Sequence, residues 1–309
     1  MELRSIDLNL LVILDALLQE KNVTHAGKRV FLTQSATSGA LAKLRDIFGD
    51  QLLVAVGHNK LALTPFAESL LDPLREIILS AEMLLKHDID FNPQESTRKF
   101  KMKMSDYMFL VLMTHAIPSI ARLGPSVGID IDGLEREGSQ EQDLENGDID
   151  FLLMPRPFLS QRHPFKELFR DTYVCCVWSG NRRVGKTLSL DDYFSMPHIS
   201  SNHDNNLYSP EDWIRHQTGT ARRVDIVLRM YSLIPSCLVG TERIATVHHR
   251  MAKVFAKTFD IRILKPPIPS PVLTEALQWN SYRSHDPGIQ WMKECLLRAA
   301  QQLPPIAAP

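Results

Sequence analysis

Cysteine and glycine are scarce in this chain, with four cysteines and 14 glycines in 309 residues. Cys175, Cys176, Cys237 and Cys295 match no metal-ligand spacing, which excludes a zinc-ribbon or disulfide-stapled scaffold. The adjacent pair Cys175–Cys176 lies in an apolar run that reads as a strand, so its thiols point to opposite faces, reduced and structural. A long apolar run is missing too: no stretch approaches the roughly 18 residues a membrane span needs. Glu2, Arg4 and Asp7 interrupt what would be a signal-peptide core, so a cytoplasmic protein with no membrane partner is expected. No charge excess exists, with 35 Lys and Arg against 36 Asp and Glu. That balance excludes a global polycation. No Ser-His-acid set or paired carboxylates stand out, so no enzyme is expected, and no cofactor. His203, His248 and His249 lack the i, i+4 spacing or cysteine partners of a metal site.

What is present begins near the amino end. Residues 22–48 read as two short helices broken by a tight turn at Phe31-Leu32-Thr33, the pattern of a helix-turn-helix. Ala36, Ala40, Leu41 and Leu44 fall on one face at helical spacing. The other face carries Ser35, Ser38, Gly39 and Ala42, all small, flanked by Gln34, Lys43 and Arg45. A slim outer face lets a helix approach base edges in a major groove, and flanking cations neutralise phosphates. Residues 21–45 hold five cations (Lys21, Lys28, Arg29, Lys43, Arg45) and no acid, so the positive field is local. Asp7–Leu18 supplies a preceding helix with Leu8, Leu11, Leu14 and Leu18 inward. Leu52–Leu63, folded around Gly57-His58-Asn59-Lys60, reads as a hairpin wing. Thr64-Pro65 then opens a long helix, with Thr as cap and Pro at its first position. Its Leu70, Leu74, Ile77, Ala81 and Leu84 are spaced as a coiled-coil seam, interrupted early by Pro73. Asp88–Pro93 reads as a hinge.

From Arg98 onward strands and helices alternate. Strands are expected near 100–104, 127–131, 148–154, 172–178, 198–200, 222–228, 244–247 and 272–280. Helices are expected from Ser105-Asp106 to about Arg122, at Ser139–Asn146, after Ser209-Pro210-Glu211-Asp212, and from Asp286-Pro287 to about Gln302. Such alternation implies parallel sheets covered by helices. Two sets, with crossings near 160–170 and 265–271, imply two lobes around a cleft, and ligands in such sheets sit at the carboxyl ends of strands.

Ile6-Asp7-Leu8-Asn9-Leu10-Leu11, Leu32-Thr33-Gln34-Ser35-Ala36, Leu63-Thr64-Pro65, Phe91-Asn92-Pro93, Gly240–Thr246 and Asp286-Pro287-Gly288 together carry a resemblance. The chain resembles the LysR-type transcriptional regulators, in particular the nodulation and nitroaromatic-responsive regulators, over nearly its whole length. The resemblance implies an N-terminal all-α winged helix-turn-helix domain (1–64) and a dimerising linker helix and hinge (65–91). It further implies a C-terminal α/β two-lobed, periplasmic-binding-protein-like effector domain (92–309). Lobe I would take about 92–165 and 269–309, and lobe II about 166–268. It also implies a homodimer pairing into a tetramer on interrupted inverted repeats of double-stranded DNA. A small-molecule effector would switch it, and RNA polymerase would be a partner. Three departures from the family's pattern stand out. Ser35 replaces a common proline, Leu53-Val54-Ala55 lacks an aromatic, and His248-His249 stands where a proline is common.

Carried onto this sequence, Thr33, Gln34, Ser35, Ser38 and Lys43 would meet DNA, with Gln34 suited to bidentate pairing with adenine. Arg45 and Lys60 would add phosphate or wing-tip contacts. For the effector, Ser105 and Asp106 at a helix start would favour an anionic or phenolate ligand. Tyr107, Arg156, Ser201, Asn202, Tyr208, Met230, Tyr231, Thr246 and His248 would complete the site, with Phe109 and Trp279 as further apolar walls. The expected role is an activator of an aromatic-compound catabolic pathway. Two rivals stand beside it. One is a small-molecule binding protein with a vestigial DNA-binding domain. The other is a P-loop nucleotide hydrolase, because Gly180-Asn181-Arg182-Arg183-Val184-Gly185-Lys186-Thr187 matches that string after a strand.

Overall fold

The computed structural model describes residues 7–56, 61–86, 91–134, 139–201 and 218–306. The expected wing tip and the helix start at Ser209 lie outside the described residues. The chain divides near residue 89 into two compact units.

In the first unit, α1 (Asn9–Glu20) buries Leu10, Leu14, Leu17 and Leu18. Leu8, expected inward, is exposed, because the buried stripe lies one turn position away. Helix α2 (Val23–Arg29) is capped by the Asn22 side chain, which accepts from the Thr24 and His25 amides. Helix α3 (Gln34–Phe48) buries Thr37, Ala40, Leu41 and Leu44. Thr37 thus takes the place expected of Ala36, which is exposed. Positions 37, 40, 41 and 44 follow the i, i+3, i+4, i+7 repeat that faces a core. Strands β1 (Leu53–Ala55) and β2 (Leu61–Leu63) pair antiparallel, with Leu53 opposite Leu63.

Helix α4 (Pro65–Lys86) continues through Pro73. Thr64 Oγ1 accepts from the Ala67 amide at its start. Part of the expected seam is spent on the helix's own unit. Leu74 and Ile78 are buried in the helix-turn-helix core, and Leu70 packs beside them. Arg75 reaches back to Asp15 of α1 at 2.8 Å. Ile77 (51% exposed) remains on the open side of the helix.

The second unit holds two five-stranded sheets. The first has the order β4-β3-β5-β12-β6, from β3 (Lys99–Met104), β4 (Gly128–Asp132), β5 (Phe151–Pro155), β6 (Phe165–Asp171) and β12 (Leu273–Trp279). The second has the order β11-β7-β10-β8-β9, from β7 (Tyr173–Trp178), β8 (His198–Ser201), β9 (Val224–Leu228), β10 (Ile244–His248) and β11 (Ile261–Leu264). Both sheets are mixed where parallel ones were expected. β3, β4 and β5 run parallel, as do β8, β9 and β10, but β12 is antiparallel to β5 and β6, and β7 to β10 and β11. The antiparallel strands flank the crossings between lobes. Because β6 belongs to the first sheet, the outward crossing falls at Asp171–Thr172, later than the expected boundary at 165.

The expected helix after Ser105 is a composite: α5 (Asp106–Met108), a π-helical turn at Phe109–Met113 and α6 (Thr114–Leu123). The remaining described helices are α7 (Ser139–Glu145), α8 (Leu190–Ser195), α9 (Ile234–Leu238), α10 (His249–Phe255) and α11 (Pro287–Gln301). One apolar cluster runs across both lobes, joining Met102, Met104 and Met108 to Ile199, Val247 and Met251. Cys175 and Cys176 face different clusters, as alternation requires.

Lobe I is tied by a bidentate Arg98–Asp286 pair at 2.6 and 2.9 Å. Asp286 also caps α11 through the Gly288 and Ile289 amides, and a Cβ at Gly288 would collide with the Arg98 guanidinium. Burial alone would push the Asp286 carboxyl up, but Arg98, the Ile289 amide and Arg283 together hold it below its usual range.

Candidate DNA interface and effector site

The outer face of α3 presents Gln34, Ser35, Ser38 and Lys43 to solvent. Thr33 caps the helix: its Oγ1 accepts from the Ala36 amide at 3.3 Å and lies 3.1 Å from Ser35 Oγ. This places Thr33 at the helix start, with its hydroxyl already engaged there.

The turn before α3 closes by Leu32 N–H donating to Gly27 O at 2.8 Å. A Cβ at Gly27 would stand 2.7 Å from Thr37 Oγ1, so glycine lets α2 and α3 approach this closely. Phe31 in that turn is 95% exposed and has a φ of 57°. Left-handed backbone at a bulky residue costs about 1–2 kcal/mol, and the ring finds no burial in return. In the sequence Phe31 stands out only as part of the turn Phe31-Leu32-Thr33. Its signal was an aromatic residue in a turn that demands glycine-like geometry.

Arg45 departs from expectation. Its guanidinium donates to Gln51 O at 2.8 Å and Leu53 O at 3.0 Å, so it braces the wing. Asp50 works beside it. One carboxylate oxygen accepts from the Leu52 amide at 2.7 Å and from the Thr64 hydroxyl at 2.6 Å, pinning the wing's base to the start of α4. Arg29 pairs with Glu20 at 3.2 Å, leaving Lys28 and Lys43 as exposed cations beside the turn and α3. Lys60 lies outside the described residues.

In the second unit the expected effector residues separate into groups. Asp106, Tyr107, Tyr231 and His248 meet between the lobes. Ser105 caps α5 next to them, its Oγ accepting from the Met108 amide. Asp106 Oδ2 accepts from the Ser232 amide of lobe II at 2.8 Å. The Tyr107 ring stacks on His248 with centroids 3.7 Å apart and planes within 12°. Tyr231 meets Tyr107 and His248 edge-on, at 6.4 and 5.1 Å. Ser201 ends β8 buried, its hydroxyl without a partner among the described residues. Met230 is 49% exposed beside Tyr231.

Tyr107 is buried, and its hydroxyl donates to Asp171 at 2.8 Å. Burial first, and then the Asp171 carboxylate, push its phenol well above the usual range. His249 is shifted down by burial and by the nearby Lys253 and Arg250.

Others fall elsewhere. Arg156 is exposed, bound to Glu167 at 3.0 Å and stacked over Phe165, because the turn after β5 carries it to the outer edge of lobe I. Thr246 lies inside lobe II in a polar cluster: its hydroxyl is 2.8 Å from Tyr193 Oη and accepts from Arg222 at 2.9 Å. The same Arg222 follows burial as a cause holding His198 down at about 3. Trp279 belongs to the core of lobe I, donating to Ser284 Oγ at 3.1 Å. Asn202 and Tyr208 lie outside the described residues. An open groove of about 690 Å³ is lined by Thr172–Val174, His249 and Ile263–Ser270, and by none of the expected residues. Burial raises the Cys175 thiol to about 12, which keeps it unreactive.

The loop matching the P-loop string has the opposite polarity to a phosphate cradle. Its carbonyls converge, Asn181 O, Val184 O and Gly185 O all accepting from Arg262 at 2.7–2.8 Å. Phosphate binding needs convergent N–H groups feeding directly into a helix, and here α8 starts later, capped by Ser189.

Comparison with known proteins follows the same division. Residues 8–68 match the bacterial regulatory helix-turn-helix protein, lysR family, and residues 93–301 match the LysR substrate binding domain. The chain is 36% identical over 304 residues to nodulation protein D 1 of Bradyrhizobium sp. (strain NC92), covering 98% of this chain and 96% of that protein. It is 38% identical over 310 residues to nodulation protein D 2 of Rhizobium tropici, covering 100% and 98%. Among solved structures, full-length LysG from Corynebacterium glutamicum with bound effector arginine aligns at TM-score 0.67 and 15% identity over 97% of this chain and all of that one. A full-length OxyR variant from Pseudomonas aeruginosa aligns at TM-score 0.68 and 16% identity, covering 96% and 95%.

Proposed function

Since the chain belongs to the LysR family of DNA-binding transcriptional regulators with an effector-binding domain, we propose that it reads its operator with the outer face of α3 and takes a planar aromatic effector between its lobes. The carrying observation for DNA is that exposed face: Gln34, Ser35 and Ser38 beside Lys43, on a helix whose opposite side is core. Gln34 is suited to adenine, and Lys43 to a phosphate. One such module makes few phosphate contacts, so binding requires a second copy. The open side of α4, with Ile77 exposed, supports a dimer seam there. Pairing of dimers into a tetramer, contact with RNA polymerase and action in the cytoplasm belong to the same reading.

For the effector, the supporting observation is the cluster of Tyr107, Tyr231 and His248 between the lobes, with Asp106 and Ser105 at its edge. Flat rings stack on such surfaces, and the N–H groups at the start of α5 suit an acidic or phenolic substituent. Activation of a pathway that consumes an aromatic compound fits this chemistry. The names of the nodulation relatives support a second reading, a regulator of nodulation.

A gel-shift on the gene's own upstream region tests the DNA reading. A salt-sensitive shift weakened by Gln34→Ala is expected, and no shift at any salt would refute it. A thermal-shift screen of hydroxylated, nitrated and chlorinated aromatic acids tests the effector class. Stabilisation lost in Tyr231→Ala is expected, and no response to any aromatic would refute it.

A further inference from the structure

The strand that returns the chain to lobe I, β12, holds a buried acid. Glu275, on β12 opposite Phe169 of β6, is 1% exposed, and neither carboxyl oxygen has a hydrogen-bond partner among the described residues. The charged and titratable groups of the surrounding elements are engaged with partners other than Glu275. From β6, Asp171 accepts from Tyr107 Oη, from the Thr172 amide at 2.8 Å and from the Arg250 amide at 3.2 Å. From α5 comes Tyr107 itself, and from β10 His248, stacked on it. From α10, the Arg250 guanidinium lies over Phe169 and donates to Arg170 O and Pro304 O. Arg156, after β5, is bound to Glu167.

An ionised carboxylate buried without a cation or a donor is strongly disfavoured, and a second carboxylate nearby adds repulsion. The uncharged acid avoids both penalties. Burial first, and then Asp171, accordingly raise the Glu275 carboxyl to about 8.

We propose that Glu275 and Asp171 form a one-proton binding site in the hinge between the lobes. Glu275 carries the proton and Asp171 remains the carboxylate that holds Tyr107. Release of the proton to solvent leaves two negative charges between β6 and β12, beside the Tyr107 phenol. Asp171 anchors Tyr107, and Tyr107 stacks on His248 of the other lobe. The proton therefore bears on the contacts that keep the lobes together, including the Asp106–Ser232 bond one residue away. The ligand of this site is a proton, and mildly alkaline conditions loosen the hinge.

The test uses the full-length, ligand-free protein, so its failure leaves the effector reading intact. Difference infrared spectra of carbon-13 glutamate-labelled protein follow protonated carboxyl groups from neutral to mildly alkaline pH. Hydrogen exchange, corrected for intrinsic pH dependence, follows the Ser232 and Arg250 amides. The expected result is a buried, protonated glutamate at neutral pH that disappears as pH rises, together with exchange at both amides faster by about tenfold. Glu275→Gln removes both changes, and Asp171→Asn moves the glutamate transition to lower pH. If Glu275→Gln fails to fold, the wild-type spectrum and Asp171→Asn still decide. Absence of a protonated glutamate at neutral pH, persistence of the transition in Glu275→Gln, or an unmoved transition in Asp171→Asn overturns the proposal.

Discussion

Replacing Gly27 with alanine sets two effects of opposite sign against each other. In an ordinary exposed helix position the change stabilises by about 1 kcal/mol, because alanine is the better helix former. At Gly27 the new Cβ would stand 2.7 Å from Thr37 Oγ1 and 3.0 Å from Leu32 O, against 3.4 Å or more in an ordinary contact. Thr37 is fully buried and donates to Thr33 O, so it has nowhere to turn. Overpacking of this kind costs about 1–3 kcal/mol. The net expectation is a loss of up to about 2 kcal/mol, with α3 pushed away from α2. Hydrogen exchange of the α2 and α3 amides in the full-length chain reads this locally, as protection falling by up to about thirty-fold. Thr37→Ala removes the struck hydroxyl, so the double variant should recover part of the loss, a positive coupling in a double-mutant cycle. Gly39→Ala is the control. Nothing lies within 4 Å of its added Cβ, so α3 should gain about 1 kcal/mol while the thicker outer face weakens operator binding. A stabilised Gly27→Ala variant, or one whose loss Thr37→Ala leaves untouched, would refute the close-approach argument.

Lys43→Ala should weaken binding evenly across DNA sequences and reduce the salt slope by about 1, whereas Gln34→Ala should cost about 1–3 kcal/mol at one operator position, both read by fluorescence anisotropy over a salt series. Thr64→Val removes the hydroxyl shared by Asp50 and the α4 cap and should cost about 1–2 kcal/mol, read as faster exchange at Ala67 and Leu52. Glu275 gives stability a pH dependence of definite sign. Its folded carboxyl, at about 8, lies above the unfolded value of 4.5, so its contribution is complete below 4.5 and is lost as pH rises through 8. Glu275→Gln should flatten that slope and stabilise the protein at pH 7 by on the order of 3 kcal/mol, measured by thermal unfolding across pH; an unchanged slope would count against it.

The helix-turn-helix was legible because its signals are local. Asn22 and Thr33 cap where capping residues should, and the serines of α3 alternate with its core positions. The misplaced position, Ala36 for Thr37, arose because threonine reads as polar while its buried hydroxyl satisfies Thr33 O within the helix. Sheet polarity was not legible. Strand–helix alternation describes β3–β5 and β8–β10, but β7 and β12 each follow a crossing between lobes, and their direction depends on partners far away in sequence. In the second unit, Tyr107 was expected near the cleft from its helix start, and Tyr231 and His248 from strand ends; the structure brings the three rings together. The partners of Arg45 and Arg156 were not legible, because a cation's partner, here a wing carbonyl or Glu167, is a tertiary fact. Glu275 was passed over, although an acid inside the apolar run Leu273–Trp279 is the kind of local conflict that marks a buried group with a task.

The position of β12 has a consequence for synthesis. Asp171 and Leu273 are register partners, so everything between them is a loop-out from a single point of lobe I. β12 also sits between β5 and β6, which do not touch each other in the sheet order. A chain leaving the ribosome therefore carries an unfilled slot in lobe I until nearly all of it has emerged. Until then two strand edges stay open to unwanted pairing. Lobe II, continuous in sequence, can be complete before its host is.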